Sequence, residues 1–189
     1  MIKRTFGMLG IVFLVASSYA QVNFSFNTVH SGGTPSGTPS WAQMTLTDVS
    51  GGVNILITHL ANAPSESGRF VRELYLKFNT LPTGYSFSSS PYITGISLGN
   101  YINAGLPFNV QVDFKVSPPS QRFLQGNSTS FTLFGVSAAD FAGMNNSGMV
   151  HIQGLFGGES SKVIAPEPAS LIAMGTGLAG LLGIRRRKR

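Results

Sequence analysis

Residues 108–116 read Phe-Asn-Val-Gln-Val-Asp-Phe-Lys-Val, with apolar and polar side chains in unbroken alternation. In a β-strand successive side chains leave on opposite faces, so Val110, Val112, Phe114 and Val116 are expected on one surface and Gln111, Asp113 and Lys115 on the other. One buried face demands a second layer to cover it, which points to sheets packed on sheets. Similar segments recur at 22–27, 42–49, 53–60, 69–79, 128–136 and 150–156. Ser50-Gly51-Gly52 reads as a hairpin between two of them. The Gly-, Pro- and Ser-rich stretch 31–40 reads as a loop, and Pro118-Pro119 as a strand stop, because proline cannot donate to a ladder. Ser137 is placed to cap a short helix over 138–144, with Asp140 near its positive end. Short strands at this spacing predict an all-β fold: an antiparallel, jelly-roll-like β-sandwich with one short helix. Residues 157–162 read as a linker leaving that domain.

The two ends have a different chemistry. Lys3 and Arg4 precede an apolar run over 6–16, and Ser18-Tyr19-Ala20 supplies small residues where a signal peptidase reads them. That is the anatomy of a secretory signal peptide over 1–20, cut between Ala20 and Gln21. At the other end, Pro166-Glu167-Pro168 is followed by an uncharged run over 169–184 and by Arg185-Arg186-Arg187-Lys188-Arg189. As a helix that run would be about 24 Å long, short for a hydrocarbon core of about 30 Å. The terminal cations would stop translocation and stay cytoplasmic, leaving the body outside.

Motif, apolar span and basic block in this order resemble the PEP-CTERM sorting signal. The resemblance implies export, tethering in the inner membrane, and processing by an exosortase at a sorting signal over 166–189, with delivery to the cell surface or extracellular matrix. The domain between the two signals is then 21–165. Part of it, Phe123-Leu-Gln-Gly-Asn-Ser-Thr-Ser-Phe-Thr-Leu133 with Ala138-Ala-Asp-Phe141 and Val150-His-Ile-Gln-Gly154, resembles the extracellular portion of one group of such proteins. That group brings no catalytic residues to carry over.

The charge balance follows the same division. Of 13 Lys and Arg residues, two lie in the leader and five in the basic block, while of seven acids only Glu167 lies in a signal. Six cations and six acids remain, so the body is formally neutral and the pI near 10.0 belongs to the targeting segments. The high pI is therefore no sign of a nucleic-acid partner. With no cysteine in the chain there is no disulfide framework, so packing, a bound metal or oligomerisation must supply an exported domain's stability.

Chemistry has few footholds. His30, His59 and His151 are scattered, and Asp48, Glu66, Glu73, Asp113, Asp140 and Glu159 form no adjacent pair. All six acids are expected on solvated faces or in turns. No nucleophile elbow, phosphate loop or zinc-binding helix motif occurs, so no catalytic residue, cofactor or metal is expected. Thr45 and Thr47 share a strand face, as β-propensity alone explains. Trp41, Tyr92 and Tyr101 are the candidate stacking platform for sugar rings, with a core position the alternative for Trp41. The sequence therefore predicts a structural or adhesive surface domain that is not an enzyme. The alternative is a carbohydrate-binding module for extracellular polysaccharide, with a secreted hydrolase less favoured.

Overall fold

The computed structural model describes residues 21–87, 90–141 and 146–166. The expected signal peptide with Ala20, and Glu167, Pro168, the apolar span 169–184 and the basic block 185–189, lie outside the described residues. Among the described residues no helix is long and apolar enough to cross a membrane.

Two antiparallel sheets carry the chain. The first pairs β1 (Gln21–Phe26), β3 (Ala42–Val49), β4 (Gly52–His59), β10 (Ser128–Phe134) and β6 (Gly84–Ser86) in that order. The second pairs β2 (Thr28–Gly32), β12 (Ser160–Ala165), β11 (Gly148–Gln153), β5 (Phe70–Leu76), β8 (Leu106–Phe114) and β7 (Ile93–Asn103), with β9 (Phe123–Leu124) added beside β5. Phe24, Leu46, Ile55 and Leu133 of the first sheet and Leu74, Val112, Val150 and Val163 of the second meet in one buried core. The fold is all-β, and its sheets pack face to face. The strand order departs from the jelly-roll expectation: β3–β4, β7–β8 and β11–β12 are simple hairpins within a sheet, not strands of two Greek keys.

Local chemistry explains the joints. Ser50 and Gly51 alone connect β3 to β4, and Gly51 takes φ +79°, which a side chain disfavours. At Gly52 a Cβ would sit 2.1 Å from the Leu133 carbonyl oxygen, so only glycine lets β10 approach there. Asn27 is the single residue between β1 and β2, where the chain passes from one sheet to the other. The helix α1 (Ala138–Phe141) occupies the start of the expected segment 138–144, whose residues 142–144 lie outside the described residues. Its first N–H is held by Asp48 Oδ1 of β3 at 2.7 Å, while Asp140 Oδ2 accepts from the Ser137 N–H and hydroxyl. The Asp140 N–H goes to the Ser137 backbone carbonyl, so Asp48 and not the expected Ser137 hydroxyl caps the helix. Phe141 then meets Phe24 edge-on at 4.6 Å and Phe78 at 5.3 Å, closing one end of the core.

The alternating segment that dictated the fold behaves as expected at its centre and departs at both ends. Val110, Val112 and Phe114 are buried, and Gln111 and Asp113 are more exposed. Val116 is a correction: β8 stops at Phe114, and Val116 is 43% exposed. At the other end Asn109 uses its side-chain amide like a backbone group, accepting from the Phe78 N–H and donating to the Phe78 carbonyl. Beyond it Phe108 joins Tyr75, Met149 and Ile164 in a separate cluster. Tyr75 alternates with the core residues Leu74 and Leu76 yet is also buried, because the β7–β8 hairpin folds Tyr101, Leu106 and Phe108 over it. His30 Nε2 on β2 lies 2.9 Å from the Ala104 carbonyl at the hairpin turn, so this strap reaches across the outer face of the second sheet.

Candidate functional site

The densest polar cluster surrounds Arg69, whose side chain is fully buried at the entrance to β5. Nε donates to His59 Nε2 at 3.3 Å, and Nη1 to the Ser36 carbonyl at 3.1 Å and to Glu66 Oε2 at 3.2 Å. Nη2 donates to Asn62 Oδ1 at 2.7 Å and to Gln125 Oε1 at 3.1 Å. Five bonds use all five guanidinium N–H groups. His59 Nδ1 lies 3.1 Å from the Phe123 carbonyl; it must carry the proton there, which leaves Nε2 free to accept from Arg69. Burial, with the neighbouring Arg69 charge, pushes the His59 imidazole down to about 4, so the ring is neutral at pH 7.

Glu66 corrects its expected solvated position: it is buried in the 3-10 turn Pro64–Glu66. Burial works to raise its carboxyl, but N–H groups of Phe156 and Ser36, with Arg69, outweigh it and hold the carboxyl below its usual range. Gln125 Nε2 donates to the Ala63 and Glu66 carbonyls, and Asn62 Nδ2 to those of Thr38 and Ser40. The cluster ties together loop 33–41, loop 60–69, the β9–β10 connection and the turn after β11. Every proton has a partner inside the protein, so the arrangement acts as a clamp and leaves no acid or base facing solvent. Sequence reading missed it because its members sit in five separate loop or strand-end positions with no period to connect them.

On the outer face of the second sheet, register sets Lys162, His151, Glu73 and Asp113 in a row across β12, β11, β5 and β8. His151 Nδ1 lies 2.8 Å from Glu73 Oε2, and Arg72 Nε lies 3.3 Å from Glu73 Oε1. The hydrogen bond from His151 leads in holding the Glu73 carboxyl below its usual range. Asp113 Oδ1 accepts from Gln111 Nε2 at 2.8 Å. His59 and His151 belong to different sheets and have different neighbours. Among the described residues no group of three or more His, Asp or Glu could hold a metal ion.

The candidate stacking platform is not assembled. Trp41 is 3% exposed, with its indole N–H on the Ser36 carbonyl, and it fills the core beside the loop. Tyr92 packs its ring 5.4 Å from Phe123, and Tyr101 belongs to the strap. Trp41 is corrected from ligand platform to core residue.

The remaining candidate is the C-terminal end. β12 lies between β2 and β11, pairing with both up to its last residues, and Pro166 follows directly as an exposed residue. Residues 165–188 match the PEP-CTERM protein-sorting motif. A PEP-CTERM signal marks a chain for export, membrane anchoring and exosortase processing to the surface, with exosortase as the processing partner. No curated protein and no solved structure matches the chain. The PEP-CTERM match begins at Ala165, which is also the last residue of β12. The expected linker over 157–162 is thereby corrected: 160–162 are strand residues, and the domain runs straight into the sorting motif. The signal of a twelfth strand was present in Ser160-Ser-Lys-Val-Ile-Ala165, whose apolar content the neighbouring glycines obscured.

Proposed function

We propose that this chain is an exported, exosortase-processed surface or matrix protein whose sandwich is a non-enzymatic structural or adhesive module. The observation that carries this reading is the junction at Ala165 and Pro166. Cleavage at or after the motif would release a closed domain whose final strand is interior and paired on both sides, with nothing of the core removed. Signal peptidase would cut after Ala20, directly ahead of Gln21 in β1, and would leave the described strands of the domain intact. The apolar span 169–184 and the basic block would hold the chain in the inner membrane until then.

The test is the intact mass of surface-released protein. Wild type should end near Pro166–Pro168. Replacing Pro166, Glu167 and Pro168 with alanine should leave uncut protein in the inner membrane, and removing the charges of 185–189 should impair anchoring. Released protein that still carried Arg189 would overturn the sorting reading. A second reading, a module for extracellular polysaccharide, is favoured by the uncharged outer face of the first sheet.

A further inference from the structure

The outward positions of β1, β3, β4, β10 and β6 carry no formal charge. Across those five strands Asp48 is the only Asp, Glu, Lys or Arg, and its carboxylate is taken by the Ala138 N–H. What faces outward is mostly Ser, Thr, Asn and Gln. These side chains are held in cross-strand pairs: Thr45 Oγ1 donates to Asn23 Oδ1 at 2.7 Å, Asn54 Nδ2 to Thr132 Oγ1 at 3.2 Å, and Thr58 Oγ1 and Ser128 Oγ are 2.8 Å apart. Leu56, 43% exposed, is an apolar point at the centre, and Val49 and Phe134 are exposed apolar side chains at one end. At about 4.8 Å between strands the face is roughly 19 Å wide. The outer face of the second sheet is its opposite, with Lys162, Arg72, Glu73 and Asp113.

We propose that this uncharged face binds neutral polysaccharide, an inference that rests on the surface-adhesion reading above and assigns it a site and a ligand class. Hydroxyl and amide groups each donate and accept, as sugar hydroxyls do, so they match in kind. Side chains already paired across strands lose little freedom when a sugar chain docks, which lowers the cost of binding. A polyanion would find no cation here, because charge-assisted recognition needs Lys or Arg. A second copy of the chain is disfavoured, since stable homodimer interfaces are more apolar than a surface of Ser, Thr, Asn and Gln with three scattered apolar side chains.

The test passes detergent-solubilised full-length protein over cellulose and cross-linked dextran, both neutral, and over alginate, an anionic polysaccharide. Retention on a neutral polymer and not on alginate is expected. Gln43→Glu combined with Ser130→Glu, both exposed on the face, should lower that retention at least tenfold with the thermal midpoint unchanged. Gln43→Lys alone should weaken it in the same direction, and Lys162→Glu on the opposite sheet should leave it within twofold. Retention on alginate alone, or binding indifferent to the Gln43 and Ser130 changes, would overturn the proposal. So would concentration-dependent self-association that those changes abolish, because the face would then be an interface between copies. These failures are separable from failure of the sorting reading, which is read from cell fractions of the Pro166–Pro168 alanine variant and does not depend on this face.

Discussion

At the scale of single residues, the Arg69 clamp is where charge and burial compete most sharply. A buried ion pair adds little net stability against an apolar replacement, yet removing one partner leaves the other stranded. Arg69→Ala would leave the buried Glu66 carboxylate without its cationic partner and take the donor from His59 Nε2 and Asn62 Oδ1. A loss of about 3–5 kcal/mol is expected from denaturant titration. His59 gives the clamp a pH signature. Its folded pKa is depressed from 6.5 to about 4, so below pH 6.5 the unfolded chain binds a proton that the folded chain refuses. Stability is therefore fully present above pH 6.5 and falls as pH drops through the folded value, by about 3 kcal/mol in all. Glu66 and Glu73, both held low, add their own loss only below the ordinary carboxylate range. Urea midpoints between pH 6.5 and 4.5 should thus fall in wild type and stay flatter in His59→Gln; equal slopes would exclude His59 as the source. Ser161 runs the other way. Among the described residues its buried hydroxyl has no hydrogen-bond partner, so Ser161→Ala should be neutral or stabilising by about 1 kcal/mol.

At the scale of elements, β8 separates what alternation determines from what it cannot. Phe114 is buried and stacks on Phe123 with ring centroids 4.9 Å apart. Phe114→Ala should cost about 3–5 kcal/mol through lost burial and a cavity. Val116, two residues on in the same apparent pattern, lies past the strand end, and Val116→Ala should change stability by no more than about 0.5 kcal/mol. The two variants measured side by side check the strand boundary: comparable losses would mean that β8 runs on to Val116. The long strand β7 escaped sequence reading for a physical reason. Gly95 and Gly99 interrupt its pattern, and its pairing with β8 shifts register between Ile93 and Gly95 and again between Leu98 and Tyr101. Such irregularities bend a strand and break the period of two. Here they accompany the strap over Tyr75 and Met149.

At the scale of the whole molecule, chain order and spatial order part company at the C-terminus. β12 is the last strand in sequence but sits inside its sheet, between β2 and β11. A chain ending after Ala165 should keep the thermal midpoint of the full body. One ending before Ser160 should lose cooperative unfolding, because it strands β2 and uncovers Val163 and Ala165 positions in the core. Near-ultraviolet circular dichroism with a thermal scan distinguishes the two, and a folded product from the shorter chain would show β12 to be dispensable. What the sequence determined by itself was whatever depends on neighbours along the chain: the period-two strands, the hairpin at Gly51, the short helical turn after Ser137, the charge-poor body, and the sorting motif. Tertiary structure alone decided which strands pair, and therefore that Lys162, His151, Glu73 and Asp113 form one row. It alone turned Arg69 and Glu66 inward and assembled an uncharged face from five strands. Pairing register and burial depend on residues distant in sequence, and a single alternating pattern carries no record of which distant strand it will meet.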